Sequence, residues 1–212
     1  MANPTLSYAT GSAVPATADQ RFGHAQYIIR KKVFKLLGAA FHVYDTAGNV
    51  VMYSKQKAFK LREDIRLYTG EDMQTELLTI QARQIIDFSA AYDVIDPRAR
   101  AKVGSLKRKG LKSMLRDEWV VMDAHDREIG LIQEDSSALA LLRRFVDAVA
   151  MFLPQKFEVQ VGGQPVATFQ QNMNPFVKRL TVDFSMDAQG TFDRRLGIAA
   201  GVLLSAIEGR QG

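Results

Sequence analysis

The chain has 212 residues, of which 47% are hydrophobic and 24% charged, with a formal net charge of +5 and no cysteine. This composition is typical of a globular domain long enough to bury a substantial core, and it excludes disulfides and thiolate chemistry. The three histidines leave little material for a metal site or a catalytic triad.

Residues 1–22 are expected to form a flexible tail ahead of a single domain at residues 23–212. The first twenty residues are rich in Ala, Thr, Ser, Pro and Gly, and such a stretch buries too little apolar surface to offset the entropy lost on ordering. It has neither the basic start nor the apolar run of a secretory signal. No apolar run reaches the ~18 residues of a transmembrane helix, and the lack of cysteine is consistent with a reducing compartment. We therefore expect a cytoplasmic protein, with a peripheral position at the membrane as the alternative.

A five-residue pattern recurs along the chain: aromatic, any residue, Val, any residue, Asp. It occurs at residues 41–45, 92–96 and 119–123, and residues 157–161 keep its aromatic residue and its Val. Aromatic and β-branched side chains two positions apart lie on one face of a β-strand. Turn residues and a second short apolar stretch follow three of these four segments, and this succession predicts β-hairpins.

Roughly a dozen strands are predicted in total, with one amphipathic helix among them. Besides the four segments above, the strand candidates are residues 27–34, 50–52, 65–69, 77–82, 85–89, 101–108, 129–132, 166–169 and 176–184. The helix is predicted at residues 137–151, where apolar residues recur at helical spacing. We expect it to pack on the outside or across one end of the sheet structure.

A second helix is predicted at about residues 193–208, and it is apolar on all sides. Asp193 suits its N-cap, and Ser205 is the only polar side chain of residues 196–207. A helix without a polar face must be buried all round, and the inside of a closed barrel achieves this in a strand-rich chain. The predicted fold is therefore mainly β: a closed barrel of roughly twelve antiparallel strands that encloses the C-terminal helix.

The charges at the start of this helix oppose its dipole. Arg194 and Arg195 lie at its positive end, which is unfavourable by about 0.3 to 1 kcal/mol for each residue. An ion pair with Asp183 or Asp187 at the barrel rim would offset this repulsion. We therefore expect one of these acids to pair with the arginines.

Four stretches follow one another along the chain at residues 59–65, 77–83 and 106–119 and in the terminal helix at 193–209. In this order they resemble the LURP-one-related proteins, which belong with the phospholipid scramblases and the Tubby C-terminal domains in one superfamily, and the resemblance spans roughly residues 25–210. It implies a twelve-stranded barrel around a central C-terminal helix. It also implies two candidate functions: binding of phosphoinositide headgroups, as in Tubby domains, and lipid translocation, as in scramblases.

The scramblase features are only partly present. Asp183, Asp187 and Asp193 lie where scramblases have a proposed calcium segment, but they lack the alternation of an EF-hand loop. The Cys-rich N-terminal region of scramblases is absent, since the chain has no cysteine. Lipid translocation is therefore the alternative function, and headgroup binding is favoured.

Basic residues concentrate at residues 102–116, which carry more positive charge than the chain's net +5 and no acid. The candidate lipid- or anion-binding residues are Lys102, Lys107, Arg108, Lys109, Lys112 and Arg116. Each such residue contributes ~1 kcal/mol near an anionic leaflet, although a solvated strand and loop would show the same charges. Nucleic acid would attract them too, but the interleaved aromatic residues typical of base stacking are missing, so anionic membrane lipid is the favoured partner. A regulatory protein that binds another protein is a further alternative.

No catalytic or metal motif is evident. Residues 104–110 have five residues between two glycines, whereas a phosphate-binding P-loop has four and then Lys-Ser or Lys-Thr. The acids and histidine of residues 123–128 are ordinary in a hairpin turn, and the acid pairs at 63–64 and 71–72 have no nucleophile with a partner base. We therefore predict a non-catalytic binding module without metal or cofactor.

Overall fold

The computed structural model describes residues 19–34, 38–56, 64–83, 91–109, 118–135, 155–172 and 178–207. Within these ranges the chain forms twelve strands and one helix. The elements are β1 (Gln26–Phe34), β2 (Gly38–Tyr44), β3 (Val50–Gln56), β4 (Ile65–Tyr68), β5 (Glu76–Ala82), β6 (Ala91–Asp96), β7 (Ala101–Arg108), β8 (Glu118–Met122), β9 (Glu128–Glu134), β10 (Lys156–Val161), β11 (Gln164–Gln171), β12 (Arg179–Asp183) and α1 (Arg194–Ile207). The predicted strand at 85–89 and the predicted helix at 137–151 lie outside the described residues.

The strands form one closed antiparallel barrel. Each strand pairs with its two neighbours in sequence, and β1 pairs with β12 to close the barrel. Closure leaves no unpaired sheet edge. The prediction of a mainly β fold with a twelve-stranded barrel is confirmed.

The recurring five-residue pattern marks strands that run toward the same end of the barrel. Its aromatic residue and Val point inward, and its Asp closes the turn that follows. Asp45 accepts a hydrogen bond from the backbone N–H of Asn49 at 2.8 Å, and Asp96 accepts one from the N–H of Arg98 at 3.0 Å. Asp123 closes its own turn in the same way. The pattern therefore combines core packing with side-chain capping of a turn.

Helix α1 runs through the barrel. Ala199 and Val202 are completely buried, and Gly201 lies so close to the wall that an added Cβ would be 2.7 Å from Ile29 Cδ1. Asp193 caps the first turn by accepting from the N–H of Arg195 at 2.9 Å. The all-apolar sequence is thus explained by a helix that contacts barrel side chains on every side.

The C-terminal end of α1 is held by a cation inside the barrel. Lys31 Nζ donates to the carbonyl oxygens of Ser205 at 3.0 Å and Ala206 at 3.3 Å, and it lies 5.7 Å from the centre of the Phe41 ring. The last carbonyls of a helix have no partner within the helix, and positive charge is favourable there. Lys31 therefore provides the hydrogen bonds to these carbonyl oxygens that apolar side chains of the barrel cannot provide.

Ordered structure begins before the boundary predicted at residue 22. Residues Gln20–Phe22 form a 3-10 turn, and Phe22 is a buried member of the core. Asp19 caps this turn and forms an ion pair with Arg98 at 2.9 Å. The burial of the Phe22 ring is a feature that the composition of this stretch does not reveal, and the division of the chain at residue 22 stays a prediction.

The arginines at the start of α1 do not pair with the acids expected. Arg195 pairs with Asp193 at 2.6 Å and with Asp96 at 3.1 Å. The Arg194 guanidinium instead lies 4.9 Å from the centre of the Phe184 ring, a cation–π contact. The expected pairing with Asp183 or Asp187 is wrong.

Both expected partners are engaged elsewhere. Asp187 is buried and accepts hydrogen bonds from the backbone N–H groups of Thr191 at 2.8 Å and Phe192 at 3.0 Å. Asp183 accepts from Gln26 Nε2 at 2.7 Å and from the N–H of Ser185 at 2.8 Å. These acids close the β12–α1 connection, since its backbone donors would otherwise lack partners.

A double-mutant cycle distinguishes the two arrangements. We expect Arg195→Ala and Asp96→Ala to show a coupling free energy of about 0.5 to 3 kcal/mol, because they share one ion pair. We expect Arg194→Ala and Asp187→Ala to add within about 0.5 kcal/mol, because the two side chains bind different groups. Urea unfolding of the single and double variants measures both terms, and coupling confined to the second pair would contradict the observed contacts.

Candidate functional site

The barrel has two chemically different ends. Since neighbouring strands run in opposite directions, the turns at 45–49, 69–75, 97–100, 123–127 and 162–163, together with the connection at 184–193, meet at the end where α1 begins. We call this the lower end. The upper end is where α1 finishes and where β1, β3, β5, β7, β9 and β11 finish.

Acids outnumber bases at the lower end. The acids of its described segments are Asp19, Asp45, Glu71, Asp72, Asp96, Asp123, Asp126, Asp183, Asp187 and Asp193, and the bases are Arg21, Arg98, Arg100, Arg127, Arg194 and Arg195. Most of these carboxylates accept backbone N–H groups within their own turn. In Asp45, hydrogen bonds from Asn49 lower the pKa, which keeps the carboxylate ionised. The lower end is therefore acidic because its turns are capped by Asp.

Exposed cations collect at the upper end. The exposed basic side chains there that form no ion pair with another described residue are Lys32, Lys55, Lys107, Lys178 and Arg179. Three upper-end acids are already matched: Glu118 pairs with Lys109, Asp135 with Lys156 at 3.7 Å, and Asp64 with Arg66 at 3.9 Å. We call the five unmatched side chains the upper cations.

The upper cations lie on two opposite walls. Lys32 on β1 and Lys55 on β3 both lie directly opposite Ala40 of β2, one on each side. Lys178 and Arg179 are at the start of the neighbouring strand β12. Lys107 is on β7, which is six strands away from β1 in either direction around the barrel. In the described part of the upper rim, four of these cations therefore lie on one side of the barrel and the fifth lies on the opposite side.

The residues predicted from the basic segment do not form one patch. Lys109 is exposed and paired with Glu118, Lys107 is exposed without an ion pair in the described chain, and Arg108 is half-buried and engaged. Lys102 forms ion pairs with Asp93 and Asp126 on the outer wall. Lys112 and Arg116 lie outside the described residues.

Lys102 belongs to a neutral network on the outer wall. Its Nζ lies 2.6 Å from Asp126 and 3.1 Å from Asp93, and both acids also bind Arg83. The Ser105 hydroxyl is completely buried among them and donates to Asp93 at 2.8 Å. Hydrogen bonds from Lys102 and Arg83 hold the pKa of Asp126 far below its usual value. The two basic and two acidic side chains balance in charge, and their contacts hold the 123–127 turn against β6 and β7.

A second row of polar side chains crosses the wall near the upper cations, and sequence reasoning did not identify it. Cross-strand pairing places Arg179, Arg30, His42, Tyr53 and Tyr68 directly side by side on β12, β1, β2, β3 and β4. Successive side chains of a strand point to opposite faces. Ile29 and Phe41, which directly precede Arg30 and His42, belong to the core. The row therefore faces outward.

His42 is the most buried member of the row, although it faces outward. It is only 4% exposed, and its Nε2 lies 2.8 Å from Glu71 Oε1. Its ring stacks on Tyr44 with centroids 6.1 Å apart and meets Tyr53 edge-on at 5.0 Å. Burial raises the pKa of Tyr53, and the nearby Glu71 charge adds to this. The histidine is held in one orientation by these contacts.

Among the described residues, no group of three or more His, Asp or Glu side chains could hold a metal ion. Nor does this part of the chain include a helix that is long and apolar enough to cross a bilayer. Of the acids at 123–128, Asp123 caps the turn and Asp126 belongs to the network of Lys102.

No curated protein matches the chain. Among solved structures, the X-ray structure of a protein from Arabidopsis thaliana is similar, with a TM-score of 0.51 and 14% sequence identity. The match covers 90% of this chain and 96% of that one, and at this identity it shows the likeness of the fold. A family model described as LURP-one-related matches residues 51–205, which extend from β3 into the last turn of α1. Because this match covers most of the chain, the protein belongs to the LURP-one-related family.

Proposed function

We propose that the protein is a non-catalytic module that binds anionic phospholipid surfaces with the upper end of its barrel. The observation that carries this proposal is the separation of charge along the barrel axis. The upper cations lie at one end, whereas the other end is dominated by Asp residues that cap turns.

The charge separation favours one orientation on a membrane. Each Lys or Arg within a Debye length of an anionic leaflet, about 10 Å at 0.1 M salt, contributes ~1 kcal/mol. The carboxylates of the lower end are repelled by the same surface. A protein with this charge distribution approaches the leaflet with the upper rim first, and its binding weakens as salt rises.

The side chains of the described residues support binding rather than catalysis. The buried Ser105 hydroxyl is surrounded by Asp93, Asp126 and Arg83, so no free base is left to activate it. The interior of the barrel is filled by α1 and by the core side chains that contact it. Because the interior is filled, this arrangement favours a function of the outer surface.

The test is co-sedimentation with phosphatidylcholine vesicles, with and without phosphatidylserine, at low and moderate salt. We expect wild-type protein to bind only the anionic vesicles and to dissociate as salt rises. The double variant Lys32→Glu/Lys107→Glu should weaken binding by about tenfold or more for each reversed residue, because each reversal changes the charge by two units at ~1 kcal/mol each.

The matched control is Arg100→Glu/Arg127→Glu, which makes the same change of net charge with exposed residues of the lower end. This control should bind as wild type does, apart from a small non-specific loss. Equal weakening by the two double variants would show that net charge alone matters and would refute the upper-end orientation. Absence of binding at low salt would remove the proposed function.

A further inference from the structure

We infer that the outer wall formed by β12, β1, β2 and β3 contains a binding site for a phosphate monoester, with Arg30 and His42 at its centre. The two residues lie directly opposite each other in the β1–β2 pairing. Facing positions of this kind have Cβ atoms about 4.5 to 5.5 Å apart. A single phosphate group is large enough to contact both side chains.

Each of the two side chains has a buried nitrogen without a partner. Arg30 Nε and His42 Nδ1 have almost no solvent-exposed surface, and neither has a hydrogen-bond partner within the protein. Nearly all buried polar atoms of folded proteins are hydrogen-bonded, because leaving one unmade is unfavourable. Two such atoms on facing residues are explained if a ligand provides the missing partner.

The contact with Glu71 determines what His42 offers to a ligand. A carboxylate only accepts hydrogen bonds, so the Nε2 that lies 2.8 Å from Glu71 Oε1 carries the proton. Nδ1 is then left to accept from a hydroxyl, or to donate to a phosphate oxygen when the ring is charged. A phosphate monoester presents both kinds of oxygen, and Arg30 Nε–H donates to either.

The surrounding charges favour a group of more than one negative charge. Lys32 and Lys55 lie one outward-facing position further along β1 and β3, on the side of the upper end, and Arg179 is the partner of Arg30 on β12. Glu71 is the only acid that contacts His42 in the described chain. Arginine beside lysines is the usual combination for phosphate, since its planar fork forms directional hydrogen bonds.

This site would lie on the outer wall between the upper cations and the 69–75 turn that carries Glu71, and it rests on the proposed function only for the source of the phosphate group. A lipid headgroup and a soluble phosphate compound present the same chemistry to Arg30 and His42. Charge-conserving substitutions separate this site from general attraction to an anionic surface. Arg30→Lys keeps the charge but removes Nε–H and the fork, and His42→Gln keeps a donor toward Glu71 but removes Nδ1.

The first measurement is the melting temperature of the full chain as inorganic phosphate replaces chloride at constant ionic strength. A ligand that binds the folded state raises the melting temperature with its concentration. We expect a rise for wild-type protein, and a phosphate affinity about ten- to a hundredfold lower in Arg30→Lys and His42→Gln, as is usual for lost hydrogen bonds to a charged group. Arg100→Gln, at the lower end of the barrel, should keep the full rise, and circular dichroism verifies the fold of each variant.

The second measurement compares phosphatidylcholine vesicles that contain phosphatidic acid, a monoester, with vesicles of equal surface charge that contain phosphatidylglycerol, a diester. A wild-type preference for the monoester that Arg30→Lys and His42→Gln abolish assigns the site to a lipid headgroup. A phosphate effect without any vesicle preference assigns it to a soluble compound. The site is refuted if phosphate does not raise the melting temperature of the wild type, or if it raises that of both variants as much as that of the wild type. The upper-end proposal is tested separately, by the charge-reversal experiment.

Discussion

Replacing Ala199 by Asp is expected to abolish folding. Ala199 is completely buried in the middle of α1, inside the closed barrel. A carboxylate at this position would have no partner, and an unpaired buried charge costs several kcal/mol. This is a large part of the ~5 to 15 kcal/mol that stabilises a typical domain. The Lys31 cation is tolerated at the end of α1 because two helix carbonyls accept from it.

The measurement is the far-ultraviolet circular dichroism and the thermal transition of the purified variant. Ala47→Asp is the matched control, since it makes the same change in the exposed 45–49 turn. We expect Ala47→Asp to melt close to wild type and Ala199→Asp to lack a cooperative transition. A melting temperature of Ala199→Asp within a few degrees of the control would mean that α1 does not occupy the barrel interior.

The architecture could be predicted from the sequence because its two strongest signals have few alternative explanations. Inward residues such as Phe157 and Val159 alternate with polar ones, and a period of two is specific to strands. The run from Leu196 to Ala206 has no polar face, which leaves only a position that is buried all round. A barrel closed around a helix satisfies both patterns at once.

Contacts between side chains of distant elements could not be predicted. Asp187 was expected to form an ion pair with an arginine, but its short side chain accepts from the N–H groups of Thr191 and Phe192 in the β12–α1 connection. Nothing in the local sequence distinguishes an acid that caps a turn from one that forms an ion pair. Phe22 illustrates the same limit, because nothing in the local sequence shows that its ring joins the core.

The candidate site was only partly visible for the same reason. Lys102 lies in the basic segment of the sequence, but strand register brings Asp93 and Asp126 beside it and neutralises its charge. Lys112 and Arg116 stay a prediction, since they lie outside the described residues. Arg30 and His42 are likewise brought opposite each other by the β1–β2 register, although they are twelve positions apart in sequence. Register depends on the whole barrel, so a local pattern does not reveal it.

Gly104→Ala is expected to destabilise the barrel, because the wall leaves no room for a methyl group at this position. Gly104 lies on β7 beside a bulge in the β6–β7 pairing. An added Cβ would overlap the backbone carbonyl oxygen of Met122 and would lie 3.0 Å from both methyl carbons of Leu196 on α1. Overpacking of this kind costs about 1 to 3 kcal/mol and occasionally more. Each kcal/mol lowers the melting temperature of a chain of this size by about 2 to 4 °C.

Gly70→Ala is the control, because its Cβ would meet only the Asp72 side chain at an ordinary 3.5 Å, and we expect it to melt near wild type. The double variant Gly104→Ala/Leu196→Ala identifies which neighbour limits position 104. Removing the Leu196 methyl groups relieves only the contact with α1, and the Met122 carbonyl belongs to the β8 backbone, which cannot move without disturbing its strand pairing. We therefore expect the two losses of stability to be nearly additive. A double variant more stable than Leu196→Ala alone would show instead that α1, and not the neighbouring strand, requires glycine at this point of the wall.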